Sequence, residues 1–165
     1  MSKLFLGVDP GKSGGLAVLG DNSLSVFNMP DDETGVWLLM KDIYRRGITN
    51  AMIEKVQGFI GHAQPGSAMF KFGHGYGGLR MALIGNGISF SETAPVVWQR
   101  RLGIPPRNPK EKKDQYKKRL CVFCRQLFPK YVNRITLATC DAVLLAEYAR
   151  RLHDGIIDTT VKVKK

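Results

Sequence analysis

Three acidic residues that lie far apart in the chain have side chains and neighbours that suit metal-dependent hydrolysis. Asp9 ends the apolar run of residues 4–8, Glu54 lies near the end of a second apolar run, and Asp141 opens a third apolar segment. Hard divalent cations prefer oxygen ligands, and hydrolysis by paired ions needs several carboxylates within a few ångströms. The three residues can act together only if the fold brings these segments to one place.

Each of these residues also has a simpler interpretation. Asp9 begins an Asp-Pro-Gly sequence, which commonly forms a turn, and Asp141 could stabilise a helix start by ~0.3–1 kcal/mol. Glu54 is harder to dismiss, because an unpaired carboxylate in a central strand is costly to bury and needs a partner or a cation. The combination of all three favours catalysis more than any one of them does.

The elements that must position these residues are predicted from hydrophobic periodicity and turn residues. Apolar runs bounded by turns predict strands at residues 4–9, 14–19, 23–29, 48–56 and 88–93. Short turns join the first three strands into the antiparallel half of a mixed sheet, and the fourth follows a helical crossover and lies parallel to the first. Asp9 and Glu54 should then meet at one edge of the sheet.

The remaining pattern completes a single α/β domain. Helices are predicted at about residues 33–46, 79–84, 116–128 and 139–152, with a proline-initiated helical turn at 95–98. The segment 59–78, rich in Gly, Phe and His, is predicted to form a loop. We expect a mixed five-stranded sheet flanked by helices over residues 1–155, followed by a basic tail at 156–165.

The charge balance favours a polyanionic partner. Lys and Arg number 25 against 14 Asp and Glu, which gives a formal net charge of +11. DNA or RNA binding explains this excess, although a generally basic surface would also produce it. The odd number of cysteines and the absence of a signal segment favour a reducing, cytoplasmic setting. No apolar run approaches the ~18 residues that a membrane span needs.

One stretch stands out as a surface for phosphates. Residues 105–113 combine three prolines with several cations and lead into an amphipathic basic helix. The residues predicted to contact DNA here are Arg107, Lys110, Lys112, Lys113, Lys117 and Lys118. Each phosphate contact would steepen the salt dependence of binding by about 0.9 in log K per log salt.

Five short segments spread along the chain form a set of motifs. They are Gly7-Val8-Asp9-Pro10-Gly11 with Gly14-Gly15, Ile53-Glu54-Lys55-Val56-Gln57, Met69-Phe70-Lys71-Phe72-Gly73 with Tyr76-Gly77, Thr93-Ala94-Pro95 with Trp98, and Cys140-Asp141-Ala142-Val143-Leu144-Leu145-Ala146-Glu147-Tyr148. This set resembles the motifs of RuvC-like Holliday-junction resolvases, and the glycine-rich third segment resembles the phage-type members in particular. The resemblance covers nearly the whole chain.

The resemblance implies an RNase H-like fold, a homodimer, and metal-dependent cleavage of four-way DNA junctions in a bacterial or phage-infected cell, at the nucleoid. Asp9, Glu54 and Asp141 would be catalytic and would bind two Mg²⁺ ions, for which Mn²⁺ could substitute. The family usually places a further acidic or histidine ligand one helical turn before the last aspartate. This chain has Leu137, Ala138 and Thr139 there. A weaker site, a substitute ligand, a water molecule and a chain altered at this position all remain open.

Other residues are candidates with simpler alternatives. Lys55 and Gln57 share a strand face and could contact a phosphate or form a surface ion pair. Phe70, Phe72 and Tyr76 could wedge or stack at the unpaired centre of a junction, or they could fill the core or form a dimer contact. Further candidates with structural alternatives are His62, His74, Trp98, Cys121, Cys124 and Cys140. The two histidines could donate a proton, whereas core packing is favoured for the tryptophan and the cysteines.

Three other functions compete with junction resolution. A debranching or flap nuclease would keep the fold and broaden the substrate, and a non-enzymatic junction-binding protein would account for the absent ligand before Asp141. An actin-like or sugar-kinase-like ATPase would share the Asp9-x-Gly11 and Gly14-Gly15 pattern. The chain is too short for the second lobe of such an ATPase, so the nuclease is preferred.

Overall fold

The computed structural model of the chain describes residues 3–56 and 66–157. The strands are β1 (Leu4–Asp9), β2 (Gly15–Gly20), β3 (Ser23–Asn28), β4 (Ile48–Glu54) and β5 (Phe90–Thr93). The helices are α1 (Glu33–Arg45), α2 (Gly66–Gly85), α3 (Pro95–Arg101), α4 (Lys113–Leu127) and α5 (Cys140–His153), with a single 3-10 turn at Pro129–Tyr131. Strand and helix positions agree with the predicted elements except in the region of α2.

The strands form one sheet in the order β3-β2-β1-β4-β5. The pairs β1–β2 and β2–β3 are antiparallel, whereas β1–β4 and β4–β5 are parallel. This arrangement confirms the predicted mixed five-stranded sheet, with a hairpin half and a parallel half that share β1. The carboxyl ends of β1, β4 and β5 therefore lie at the same edge.

Alternating side chains divide the interior into two cores, one on each face of the sheet. On β1, Leu6 and Val8 face the core that is covered by α1 and α2, whereas Phe5 faces the core that is covered by α3, α4 and α5. On β4, Ile53 faces the first core and Met52 the second. Both faces of β1 and β4 are buried, which explains why these strands are nearly continuously apolar.

Helix α5 lies directly against β1, and a glycine makes this approach possible. A Cβ atom added to Gly7 would overlap the Ala142 carbonyl oxygen and would come within 2.5 Å of the Ala146 nitrogen. Any side chain at this position would push α5 off the sheet. Gly7 therefore holds the start of α5 close to the end of β1.

The predicted loop over residues 59–78 is wrong for residues 66–78, which belong to helix α2. Gly is ~1 kcal/mol less favourable than Ala inside a helix, so the glycine-rich sequence indicated a loop. Tertiary packing overrides this preference, because Tyr76, Leu79 and Leu83 recur at helical spacing and pack into the core beneath α1 and α2. Residues 59–65 lie outside the described residues.

The boundary between the domain and its basic tail stays a prediction. Helix α5 is the last helix or strand among the described residues, and residues 158–165 of the tail are outside the described part of the chain. Within the described part, no helix has both the length and the apolar character that crossing a bilayer requires.

Candidate active site

Asp9 and Glu54 lie beside each other at the carboxyl ends of two neighbouring parallel strands. The strand register pairs Val8 with Ile53, so the next residue on each strand is the acidic one. Successive side chains of a strand point to opposite faces, and Met52 points into the core beneath α5. Asp9 and Glu54 therefore share the face on which α5 lies.

The third carboxylate comes from the start of α5. Asp141 is the second residue of this helix, and the Cys140 thiol donates a hydrogen bond to its Oδ1 at 3.4 Å. The close contact of α5 with Gly7 brings Asp141 to the edge where Asp9 and Glu54 lie. The fold thus brings together the three carboxylates that the sequence analysis selected.

Lys117 of α4 lies among these carboxylates. Its Nζ donates a hydrogen bond to Asp141 Oδ2 and lies 3.8 Å from Asp9 Oδ2. The Lys117 side chain is 32% exposed, which is much less than a surface lysine. Lys117 was predicted to contact DNA with its neighbours, whereas the structure places it at the carboxylates. We call Asp9, Glu54, Asp141 and Lys117 the carboxylate cluster.

Trp98 holds Glu54 in place through a hydrogen bond. Its side chain is fully buried, as the core interpretation predicted, and its indole Nε1 donates a hydrogen bond to Glu54 Oε2 at 2.9 Å. A buried indole N–H needs an acceptor, and a buried carboxylate needs donors. The contact fixes one oxygen of Glu54 and leaves the other for a different partner.

The electrostatics of the cluster favour uptake of positive charge. Burial, followed by the negative charges of Asp141 and Glu54, raises the pKa of Asp9 to about 8 despite the opposing effect of Lys117. Burial also raises the pKa of Glu54 to about 7, although the Trp98 hydrogen bond acts in the other direction. Burial lowers the pKa of Lys117, but its carboxylate partners more than offset this, so the pKa is raised overall.

The donor set suits a hard divalent cation, but the described residues are not already arranged around one. Among them, no three His, Cys, Asp or Glu side chains stand in positions that would hold a metal ion. The cluster offers buried carboxylate oxygens with raised pKa values, a chemistry that a divalent cation would stabilise. In this conformation, the Lys117 ammonium supplies part of the positive charge that the carboxylates of the cluster require.

The segment just before Asp141 contributes no obvious ligand. Leu137 is exposed and Ala138 has no donor atom in its side chain. The Thr139 hydroxyl oxygen accepts a hydrogen bond from the Thr136 backbone nitrogen at 3.0 Å and lies 3.1 Å from the Thr136 hydroxyl. The hydrogen bonds of the Thr139 hydroxyl are therefore made to Thr136, within the turn that precedes α5. The departure noted from the sequence is present in the folded protein.

The remaining predicted DNA-contacting residues divide by exposure. The exposed ones are Lys55, Phe70, Arg107, Lys110, Lys112, Lys113 and Lys118. Phe72 and Tyr76 are half-buried, and Tyr76 packs against the core beneath α1 and α2. Gln57 and the candidate proton donor His62 lie outside the described residues, and exposed His74 approaches Glu33 with 3.4 Å between Nδ1 and Oε1.

The helical conformation of α2 separates the two phenylalanines. An extended segment would place Phe70 and Phe72 on one face, but residues two apart on a helix point in widely different directions. Phe70 is 73% exposed and stacks on His74, with 6.2 Å between the ring centroids. Phe72 lies against the turn at Gly11, next to the end of β1. A shared stacking platform of Phe70 and Phe72 is therefore excluded in this conformation.

The cysteines have the predicted structural role. Cys121, Cys124 and Cys140 are buried free thiols within the core beneath α5. Burial raises the pKa values of the Cys124 and Cys140 thiols, so they are kept as neutral packing groups.

The sheet order and the flanking helices define an RNase H-like fold. Among solved structures, the chain is similar to Thermus thermophilus RuvC in complex with a Holliday junction substrate, with a TM-score of 0.64 and 15% sequence identity. The alignment covers 94% of this chain and 98% of that chain. A second structure of Thermus thermophilus RuvC gives a TM-score of 0.61 with the same identity and coverage. No protein-family profile matches the chain, and no curated protein sequence matches it.

Sequence reasoning missed two contacts in this site. Lys117 was grouped with the surface cations because it lies in a run of them. It could have been distinguished from Lys118 only by the side of helix α4 on which each side chain lies. Trp98 was assigned to the core without its polar partner. The usable signal was that a buried indole N–H must donate to some acceptor, and Glu54 needed a donor.

Proposed function

We propose that this chain is a structure-selective endonuclease of the RuvC type, which resolves four-way DNA junctions by metal-dependent phosphodiester hydrolysis. The observation that carries the proposal is the meeting of Asp9, Glu54 and Asp141 at one edge of an RNase H-like sheet. A structural relative of similar length was solved with a Holliday junction substrate. The net charge of +11 suits a DNA partner.

Asp9, Glu54 and Asp141 would hold Mg²⁺ or Mn²⁺, with two ions per site if a further ligand completes the second position. A bound divalent ion would lower the pKa of a water molecule and neutralise charge on the scissile phosphate. Trp98 would keep Glu54 oriented through the indole hydrogen bond. Lys117 would balance the charge of Asp141, and that of Asp9 once it ionises, until an ion arrives.

The partners follow from the same proposal. A homodimer with two such sites would match the two-fold symmetry of a four-way junction, so paired cuts need only one kind of chain. The exposed cations of residues 105–113 would contact the phosphates of the arms. We place the enzyme at the nucleoid of a bacterial or phage-infected cell. Its assignment to the phage-type branch rests on the resemblance of residues 69–77 alone.

A junction-binding protein with weak or no nuclease activity is the second candidate. The specific observation in its favour is the segment before Asp141, where Leu137 and Ala138 supply no ligand. The ammonium of Lys117 within the cluster also competes with a cation for the same carboxylates. This candidate predicts tight junction binding without cleavage.

The deciding experiment compares a labelled four-way junction with a linear duplex of matched sequence. Purified protein is incubated with each substrate in Mg²⁺, in Mn²⁺ and in chelator, and the Asp9→Asn variant is treated in parallel. We expect symmetric, metal-dependent nicks at the junction, and a loss of at least about 10³-fold in rate for Asp9→Asn. Asp31→Asn, which alters an exposed carboxylate, serves as the matched control.

The other outcomes separate the candidates. Binding of the junction without cuts in any metal would support the junction-binding protein. Cuts in flaps and simple branches at equal rates would identify a broader debranching nuclease. Full activity of Asp9→Asn would refute the carboxylate cluster as the active site.

A further inference from the structure

A bidentate ion pair organises the exposed loop that precedes α4. Arg119 of α4 donates from Nε and Nη2 to the two carboxylate oxygens of Glu111, at 3.0 Å each. Its Nη1 and Nη2 also donate to the carbonyl oxygens of Pro105 and Pro106, at 3.1 Å each. One guanidinium therefore joins both ends of the loop to the helix. We call residues 105–112 the basic loop.

Glu111 makes further contacts within the loop. Its Oε2 accepts a hydrogen bond from the Asn108 backbone nitrogen at 3.3 Å, and its carbonyl oxygen accepts one from Arg107 Nη1 at 3.3 Å. The Arg119 guanidinium also lies over the Tyr116 ring, 4.8 Å from the centroid. Prolines at 105, 106 and 109 restrict the backbone further. The loop is exposed, yet its conformation is fixed by several independent contacts.

The lysines of the basic loop are exposed to solvent. Lys110, Lys112 and the adjoining Lys113 are exposed, and none of them forms a salt bridge within the described residues. Lys113 precedes Lys117 by four residues on α4, so both lie on one side of the helix. Lys113, next to the basic loop, therefore lies about one helical turn, or ~5.4 Å along the axis, from Lys117, whose side chain reaches Asp141.

We propose that Glu111 and Arg119 are positioning residues that fix the basic loop as a binding site for the phosphate backbone of a duplex DNA arm. The proposal rests on the proposed function only for the identity of its partner. A bidentate ion pair within a network can also stabilise the loop in the absence of DNA, so the test of this proposal is DNA affinity rather than stability. A carboxylate in a phosphate-binding surface repels DNA, so its presence needs a compensating role. Holding the loop cations in a fixed arrangement is that role.

For the DNA affinity of Glu111→Gln, a positioning role predicts a change opposite in sign to the one that charge alone predicts. Glu111→Gln removes a negative charge from a cationic surface, which by charge alone should tighten DNA binding. If Glu111 positions the loop, the variant should bind more weakly, because the loop cations lose their fixed arrangement. Arg119→Lys keeps the charge but loses the planar fork, so it should weaken binding in the same direction.

The experiment measures affinity for a fluorescent linear duplex and a four-way junction by anisotropy, in chelator, over a range of salt concentrations. If releasing the loop removes one contact with a DNA phosphate, we expect Glu111→Gln to bind DNA roughly fivefold more weakly at about 0.15 M salt. The slope of log K against log salt should then decrease in magnitude by about 0.9. Asp114→Asn removes the same charge three residues away, outside this network, and should bind equally or slightly more tightly.

A double-mutant cycle distinguishes positioning from general loss of structure. Lys110→Ala should weaken binding in the wild-type protein and should cost less in the Glu111→Gln background, where the loop is already released. The active fraction of each preparation is titrated, so that partial unfolding cannot imitate a change in slope. An equal cost of Lys110→Ala in both backgrounds overturns the proposal.

The two proposals fail separately. If Glu111→Gln binds as tightly as wild type or more tightly, the positioning role is refuted, even when the wild-type enzyme cuts junctions. If wild type and variants show the predicted affinities but no metal permits cleavage, the loop proposal holds and the nuclease proposal fails. A wild-type protein that binds neither DNA refutes both.

Discussion

The carboxylate cluster is mainly acidic and the basic loop mainly basic, and the protein holds the two in different ways. The cluster is largely buried at the sheet edge, where burial and neighbouring charges shift the pKa values of Asp9, Glu54 and Lys117. The basic loop is exposed, and Glu111 and Arg119 hold its backbone while its lysines face solvent. Buried charges interact strongly and are screened little by salt, whereas exposed charges are screened within about 10 Å. The cluster is therefore suited to chemistry and the loop to reversible attraction.

Removing the internal cation of the cluster should give the largest change in stability. Lys117→Met leaves Asp9 and Asp141 without their shared partner, so we expect the free energy of unfolding in chelator to fall by roughly 2 kcal/mol. Mg²⁺ should restore part of this loss, because it can supply the missing positive charge. Urea unfolding with and without Mg²⁺ measures both effects.

Lys118→Met provides the matched control for this change. The neighbouring lysine is exposed, so its loss should change stability by less than about 0.5 kcal/mol. Equal effects of the two variants would show that the contacts of Lys117 with the carboxylates contribute nothing.

Removing the donor to Glu54 should weaken the cluster without altering its charges. Trp98→Phe keeps most of the buried volume but removes the indole N–H, and partners of metal ligands typically contribute about 10–100-fold to metal affinity. We expect a loss at the lower end of that range, measured as Mn²⁺ binding by calorimetry. Trp37→Phe is the control, since Trp37 lies on α1 and is 42% exposed. Unchanged Mn²⁺ affinity in Trp98→Phe would contradict a positioning role.

The cluster should also make stability depend on pH. The pKa of Asp9 rises from 3.8 to about 8 on folding, so between these values the folded protein holds a proton that the unfolded chain has released. The free energy of unfolding must then fall as pH rises, and the raised pKa of Glu54 acts in the same direction up to about 7. We expect a fall of at least about 1 kcal/mol between pH 5 and pH 8 in chelator.

Asp9→Asn tests this assignment. The variant cannot release that proton, so its stability should vary less with pH and should exceed that of wild type near pH 8. Urea unfolding at several pH values measures the difference. A pH dependence as steep as that of wild type would exclude Asp9 as its source.

The smallest effect is expected at a single exposed cation. Lys110→Ala should leave stability and metal affinity unchanged and should weaken DNA binding by roughly fivefold at about 0.15 M salt. The loss should vanish at high salt, unlike a defect in the carboxylate cluster. Anisotropy titrations at two salt concentrations are sufficient, and a salt-independent loss would contradict phosphate contact.

Much of the architecture could be predicted because its signals are local. The alternation along β1 and β4 indicates buried strands, and the same two-residue period places Asp9 and Glu54 on one face. The boundaries of α1 were also predictable, since Asp32 caps the helix by accepting a hydrogen bond from the Gly35 nitrogen at 2.7 Å. The glycine-rich α2 was not predictable from propensity, because its stability depends on packing against α1 and the sheet.

The sequence by itself determined the order of the elements, the excess of basic charge and the three carboxylates at the ends of their segments. These features depend on residue type and on periods of two or about four residues. Only the tertiary structure decided that Lys117 faces Asp141 rather than solvent, that Trp98 donates to Glu54, and that Arg119 holds the basic loop. Each contact joins residues from separate elements, and small differences in helix phase and register decide whether two polar atoms meet. Periodicity is too coarse to specify those differences.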